Sequence, residues 1–205
     1  DARQLQLLKQ ETGNAQLMLD GKPLEMTIGT SKTAVATAEK TGKTFGNLTV
    51  DKTSNDMSWG AVFAEFTQPL RDITAQSTGL RVKREVLTTD GTAVNADRLK
   101  VGDRVKVRIT LEASHDFDFV EVSDERAACL EPVNPLSGYD WGYYYMPGDK
   151  QTRYFFDQLN KGKHVIETEY FIDRKGEYNS GICTAKCTYS PEFSGRDRAI
   201  KLTNE

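Results

Sequence analysis

The sequence contains 205 residues, of which 28% are charged and 38% belong to the hydrophobic set, and its net charge is -3. This composition is typical of a soluble globular chain with one large domain or two smaller ones. Interspersed charges of both signs exclude the basic face expected of a nucleic-acid binder. No stretch approaches the roughly 18 apolar residues needed to span a bilayer.

The first part of the chain predicts a short helix followed by β structure. The chain opens DARQLQLLKQ without an initiator Met or a signal segment, so we expect a piece of a longer or processed polypeptide. Residues 1–10 favour a helix that stops at Gly13. The pair Asp20 and Gly21 lies between two apolar runs and predicts a hairpin. The segment 57–68, MSWGAVFAEFTQ, is apolar on both faces and predicts a central strand buried on both sides.

A domain boundary is predicted at residues 74–79, TAQSTG, which have no apolar periodicity. The predicted domains are therefore 1–78 and 79–205. Alternation in the second domain is clearest in DRVKVRITL, where Val105 to Leu111 place every second, apolar side chain on one face. Further short strands alternate with the turn segments NKGK, DRKGEYNSG and SPEFSGRD. The fold class predicted from this pattern is all-β, an antiparallel β-sandwich.

No motif of the chain predicts catalysis or metal binding. TGKTFG lacks the first glycine of a phosphate loop, since Thr37 stands there. His115 lies beside Asp116 and Asp118 in a predicted turn, which is more typical of a solvated loop than of a metal site. His164 begins a strand and has no nucleophile near it in the sequence. We therefore expect no enzyme, no catalytic residue, no metal ligand and no cofactor.

The three cysteines are expected to lie in the core. Alternation places Cys183 and Cys187 on one core-facing side of a strand, together with Tyr189. Their separation of about 13 Å in an extended strand prevents a disulfide between them. A pairing of Cys129 with one of them across strands stays open. The run CLEP at Cys129 resembles a thioester motif, but Pro132 stands where the required Gln would be, so no thioester forms there.

The run GYDWGYYYM is the most unusual feature of the sequence. One interpretation is an exposed loop that contacts another domain or a ligand. The other is a hairpin whose aromatic side chains cover the end of the sandwich. The candidate contact residues of this run are Tyr139, Trp141, Tyr143, Tyr144 and Tyr145.

Four segments, in this order, carry a family resemblance. They are LKVGDRVKVRITL, RAACLEPVNPLSGYDWGYYY, YFFDQLNKGKHVIETEYFIDRKGEYNSGI and CTYSPEFSGR. Together they resemble the carboxy-terminal macroglobulin-like domain of bacterial α2-macroglobulins. Residues 1–78 are similar to the end of the family's helical thioester domain and to part of its CUB-like β region.

The resemblance implies a structural part of a protease inhibitor. A protein of this kind is cut by a protease, changes conformation and traps that protease. The resemblance further implies that the last domain packs against upstream domains and helps to shield a thioester, where the parent has one. It implies a periplasmic or outer-membrane-associated parent whose partners are proteases, with no nucleic-acid or membrane contact by this chain. The rival hypothesis is a carbohydrate- or protein-binding sandwich from a surface system.

Overall fold

A computed structural model describes residues 15–28, 34–39, 46–53, 57, 59–62, 67–94 and 99–205. The chain divides into two compact units, residues 1–65 and 66–205, which are described separately below. The helix predicted at residues 1–10 lies outside the described residues. The domain boundary expected after residue 78 stays a prediction.

The first unit contains short strands. Its elements are β1 (Ala15–Leu19), β2 (Lys22–Pro23), β3 (Thr27–Ile28), β4 (Ala34–Val35) and β5 (Leu48–Lys52). An antiparallel three-stranded sheet has the order β2-β1-β5, and β3 pairs with β4. The predicted hairpin is confirmed: Leu19 pairs with Lys22 across the turn, and Asp20 and Gly21 both adopt positive φ angles, 52° and 76°. Both central residues of a type I′ turn need such angles.

The strand predicted over residues 57–68 is not found in the described part of that segment. Met57, Trp59 and Val62 lie in no strand there, and their side chains are exposed. An apolar run becomes a central strand only where other strands pair with both of its edges and other layers cover both of its faces. The described residues of this unit provide neither arrangement. Among the described residues, no helix has the length and apolar character required to cross a membrane.

The second unit is almost entirely β. A short 3-10 turn at Leu70–Asp72 precedes its strands. The strands are β6 (Gln76–Thr78), β7 (Leu80–Thr88), β8 (Arg104–Ala113), β9 (Phe117–Glu125), β10 (Leu130–Pro132), β11 (Gly138–Asp140), β12 (Tyr143–Pro147), β13 (Gln151–Leu159), β14 (Gly162–Ile172), β15 (Gly176–Asn179), β16 (Cys183–Cys187), β17 (Ser194–Asp197) and β18 (Lys201–Asn204).

Hydrogen-bonded neighbours link most of these strands into one continuous order. That order is β10-β14-β8-β7-β6-β17-β16-β9-β13-β12-β11, and β15 pairs separately with β18. Every named strand pair is antiparallel. The short strand β6 lies between two halves of this order, and side chains of the half from β10 to β7 share one core with those of the half from β17 to β11. This is the predicted antiparallel β-sandwich.

Alternating side chains fill the space between the two halves. The predicted inner face of β8 is confirmed, because Val105, Val107, Ile109 and Leu111 are all at most 3% exposed. They join one apolar cluster with Val120 and Val122 of β9, Tyr154 of β13, Ile166 of β14 and Ala185 of β16. Burial of such side chains is the main favourable term in folding. Inward and outward faces therefore follow the period of two that the sequence displays.

Two hydroxyl contacts cross the sandwich between strands that are not sheet neighbours. The hydroxyls of Tyr154 and Thr168 lie 2.7 Å apart, and those of Thr152 and Tyr170 lie 2.9 Å apart. Burial raises the pKa of Tyr170 and of Tyr154 well above the ordinary tyrosine value. These phenols stay protonated in the core, where each satisfies a partner from the opposite half.

Candidate interdomain contact site

The aromatic run forms a hairpin at the end of the strand order. Strand β11 is the outermost strand, and its Asp140 pairs with Tyr143 of β12. Trp141 and Gly142 make the two-residue turn, with φ angles of 22° and 103°. Gly142 suits this conformation because it has no Cβ. A Cβ built there would have no other atom within 4 Å, so the backbone angle, and not a lack of space, favours glycine. The turn therefore holds Trp141 at the tip of an edge hairpin.

Two tyrosines of β12 point into the sandwich. The Tyr143 ring lies 5.3 Å from the Phe156 ring and 5.6 Å from the Tyr154 ring, and the Tyr145 ring lies 5.8 Å from the Tyr154 ring. The Tyr145 hydroxyl donates a hydrogen bond of 2.8 Å to the carbonyl oxygen of Asn134. These two side chains anchor the hairpin and the segment that leads into it.

The electrostatic environment keeps these anchors neutral. Burial, with the nearby carboxylate of Asp140, raises the pKa of Tyr143 to about 12. The Tyr143 hydroxyl donates to Asp140 at 3.3 Å. Burial also raises the pKa of Tyr145. Both groups act as packing and hydrogen-bonding residues at neutral pH, with no tendency to ionise.

Three other members of the run lie on the solvent side. Trp141 is 100% exposed and Tyr139 is 76% exposed. Tyr144, which is half-buried, pairs with Tyr139 across the two strands, and the two rings meet edge to face at 5.2 Å with an interplanar angle of 73°. Leu136, just before β11, is 73% exposed and adds to this surface. The sequence interpretation did not include Leu136, although its place beside the run was visible.

Arg126 fixes the other end of β12. Its guanidinium donates to the carbonyl oxygens of Gly148 at 2.6 Å and Asp149 at 2.9 Å, and to the hydroxyl of Thr152 at 3.2 Å. It also lies over the Tyr170 ring at 5.8 Å. Because these bonds join the β12–β13 turn to the end of β9, the hairpin projects from a firmly held base.

A buried ion pair holds the two halves of the domain together. Arg84 of β7 contacts the carboxylate of Asp124 of β9 at 2.5 Å, and both side chains are 2% exposed. The same guanidinium donates to Ser180 Oγ at 2.6 Å and to the carbonyl oxygens of Gly181 and Arg198 at 2.7 and 3.0 Å. Burial raises the pKa of Asp124, and the Arg84 charge opposes that effect. The sequence interpretation missed this pair, since 40 positions separate its members.

The other sequence candidates are not brought together. The His115 ring centroid lies 4.0 Å from that of Phe117, and its Nδ1 shares a hydrogen bond of 2.9 Å with Ser114 Oγ. The Nε2 of His164 instead forms a hydrogen bond of 2.7 Å with the carbonyl oxygen of Asn160. Over the described ranges, no group of three His, Cys, Asp or Glu side chains is placed to hold a metal ion.

The cysteines are buried free thiols. Cys129, Cys183 and Cys187 lie in the core, and none forms a disulfide. Burial raises the pKa of Cys183 well above its usual range. The expectation that Tyr189 faces the core with them is wrong, because it is 76% exposed. Strand β16 ends at Cys187, so the alternation no longer applies two residues later.

Known structures share this fold at low sequence identity. Native alpha-2-macroglobulin from Escherichia coli, from domain MG7 to the C-terminus, aligns with a TM-score of 0.59 and 18% identity over 67% of this chain. Salmonella alpha-2-macroglobulin reacted with methylamine aligns at 0.57 and 16% over 95%. Escherichia coli alpha-2-macroglobulin activated by porcine elastase aligns at 0.60 and 14% over 97%. This chain spans only 25%, 14% and 19% of those chains' own lengths.

The family follows from a match to a family model. Among proteins with curated functions, none matches the chain significantly. The second unit has the all-β sandwich architecture of macroglobulin-like domains. The model of the bacterial alpha-2-macroglobulin MG10 domain matches residues 79–192, which is more than half of the sequence. The chain therefore belongs to the bacterial alpha-2-macroglobulin family.

Proposed function

We propose that this chain is the carboxy-terminal part of a larger protein that inhibits proteases by conformational trapping. In this role it is a structural, non-catalytic part. The family membership supports the proposal, as does the small share of the related structures that the chain covers. Two solved structures of Escherichia coli alpha-2-macroglobulin are described as activated, one by trypsin and the other by porcine elastase. The partners proposed for this chain are upstream domains of its parent, which in turn engages proteases.

The aromatic hairpin is proposed to dock on a neighbouring domain of that parent. The observation that carries this proposal is the division of the run: Tyr143 and Tyr145 anchor the hairpin, while Tyr139 and Trp141 stay exposed on it. Aromatic side chains that are rigidly held and still exposed are typical of contact hot spots. Interfaces between domains of one chain tolerate such exposure when the domains separate.

Ring geometry favours a domain contact over the rival carbohydrate platform. A platform for a sugar needs exposed rings that lie in one plane. The rings of Tyr139 and Tyr144 instead meet at 73°, which produces an uneven apolar surface that suits a shaped protein partner. A glycan array probed with the chain would separate the two functions, because reproducible binding to one class of sugar supports the platform.

The remaining parts of the proposal concern location and domain order. We place the parent in the periplasm or at the outer membrane, and we assign no nucleic-acid or membrane contact to this chain. Residues 1–78 are proposed as the end of a thioester-domain helix with a CUB-like β region, and residues 79–205 as the last macroglobulin-like domain. No catalytic residue, thioester or metal ligand is assigned to any residue of the chain.

The test of the docking proposal uses the complete parent polypeptide. Trp141→Ala and Tyr144→Ala should weaken protease trapping and, where the parent has a thioester, shorten the lifetime of that bond. Val165→Ala is the matched control, because Val165 is also exposed but lies on β14 in the other half of the sandwich. Unchanged trapping and unchanged thioester lifetime in both aromatic variants would refute the proposal.

A further inference from the structure

Strand register places a second pair of exposed aromatic residues at the same end of the sheet as the hairpin tip. Tyr143, next to the tip, lies beside Phe156 of β13, and Phe156 pairs with Val120 of β9. Val120 in turn pairs with Cys187 of β16. The residues just beyond this row are Trp141 in the hairpin turn, Asp157 in β13, Phe119 in β9 and Tyr189 after β16.

These residues form one rim across four neighbouring chain segments. With strands about 4.8 Å apart, the hairpin lies about 14 Å from the end of β16. Phe119 is 48% exposed, and its ring meets the exposed Tyr189 ring edge to face at 5.2 Å with an interplanar angle of 90°. We define the aromatic rim as Trp141, Phe119 and Tyr189, together with Tyr139 beside the tip.

The backbone presents Phe119 in an uncommon conformation. Its φ angle is 56°, in the left-handed region, which is unfavourable for a bulky side chain. Its carbonyl oxygen accepts a hydrogen bond of 2.9 Å from the backbone N–H of Thr188. The pairing of β9 with β13 skips this position, since Val120 and Asp118 pair on either side of it. Because Val120 and Val122 face the core, the outward alternation of β9 places this large apolar ring in solvent.

Four exposed carboxylates lie close to the rim residues in the sequence or in the strand register. Asp118 precedes Phe119, Asp140 precedes Trp141, Asp157 lies between them on β13, and Glu192 follows Tyr189. Of these four carboxylates, only that of Asp140 has a hydrogen-bond partner in the described structure, the hydroxyl of Tyr143. A nearby cation, Lys186, contacts Glu121 at 3.1 Å. The rim thus combines aromatic faces with unpaired negative charge.

We infer that the whole rim, and not the hairpin alone, is a docking surface for an arginine-bearing face of another domain of the same polypeptide. Guanidinium groups stack on aromatic rings and pair with carboxylates, so they match both features of the rim. The chain spans a quarter or less of the related structures named above, which favours a further domain as the occupant. This inference rests on the proposed function and adds the partner chemistry and the residues Phe119 and Tyr189.

Hydroxyl-radical footprinting provides the test, because it reports the exposure of individual aromatic side chains. Oxidation rates are measured in this 205-residue chain and in the complete parent, at low and at high salt. In the parent at low salt, Trp141, Phe119 and Tyr189 should oxidise about tenfold more slowly than in the chain alone. High salt should reduce that protection, since exposed charge pairs are screened. Phe171, on the outer face of β14, is the internal control and should not change.

Two variants of the parent separate the apolar contribution from the charged one. Phe119→Gly removes the ring and suits the left-handed backbone, so the fold is retained and circular dichroism verifies it. It should return Tyr189 to about the rate seen in the chain alone. Asp118→Asn combined with Asp157→Asn should lower the protection of the rim and its salt dependence, whereas the control Glu177→Gln should change neither.

The outcomes distinguish this inference from the proposed function. Protection of Trp141 alone overturns the rim and leaves the hairpin proposal standing. Protection of all three residues that depends on neither salt nor the two aspartates overturns the arginine-bearing partner. Absence of protection at every rim residue overturns both proposals together.

Discussion

Removal of the Asp124 carboxylate should severely destabilise the second unit. In the folded state the Arg84 guanidinium is 2% exposed and contacts Asp124 at 2.5 Å. Asp124→Ala leaves that guanidinium buried without a counter-charge, and an arginine cannot relieve the strain by losing its proton. Its remaining acceptors are neutral, among them Ser180 Oγ and the carbonyl oxygen of Gly181.

The expected loss follows from the general behaviour of such pairs. Removing one partner of a buried ion pair reduces the free energy of unfolding by about 4 kcal/mol. That is a large share of a total of about 5–15 kcal/mol for a typical domain. The midpoint of thermal unfolding should fall by about 12 °C for a unit of this size.

Urea denaturation followed by far-UV circular dichroism measures this loss. Trp141 is unsuited as a fluorescence reporter because it is fully exposed in the folded state. Glu177→Ala is the control, since it breaks an exposed ion pair with Lys201 and should change stability by less than about 1 kcal/mol. Replacing both partners, Arg84→Met with Asp124→Leu, should recover part of the loss, because the unpaired charge is gone. A loss for Asp124→Ala no larger than that of the control would refute the reasoning.

Three further predictions follow from single groups. The pKa of Tyr143 is raised to about 12 from an ordinary value near 10, so its contribution to stability is fully present below about pH 10 and is lost as the pH rises toward 12. Thermal unfolding midpoints of the native chain and of Tyr143→Phe should therefore converge over that range. A constant difference between the two midpoints would contradict the assignment. Gly195→Ala should reduce the free energy of unfolding by about 3 kcal/mol, because a Cβ there would collide with the carbonyl oxygen of Leu80. Gly138→Ala, with open space around it, should have little effect in the same urea titration. The buried thiols of Cys129, Cys183 and Cys187 should not react with a thiol reagent in the folded chain and should all react in urea; rapid labelling of the folded chain would show that the core opens readily.

Part of the candidate site was accessible from the sequence. The run from Tyr139 to Tyr145 marked the hairpin, because aromatic residues separated by glycines are a local pattern. Which of its rings are buried was not accessible, since that depends on the pairing of β12 with β13. The pairing directs Tyr143 and Tyr145 toward Tyr154 and leaves Trp141 in solvent.

The error at Tyr189 has the same origin. Alternation correctly predicted burial of Cys183 and Cys187, but it carries no information on where a strand ends. The contact of Phe119 with Tyr189 was invisible for a related reason, because it depends on the pairing of β9 with β16 and on the bond between Phe119 and Thr188. Register belongs to a pair of strands, and a single segment does not reveal it.

The sequence by itself determined the all-β class, the inner face of β8, the turn at Asp20 and Gly21, and the resemblance to the bacterial α2-macroglobulin family. These properties depend on residues that are neighbours along the chain, where alternation and turn chemistry act directly. Only the tertiary structure decided the pairing of Arg84 with Asp124 and the assembly of Trp141, Phe119 and Tyr189 on one rim. Those contacts join segments that are distant in sequence, and the register between strands, which no local pattern specifies, brings them together.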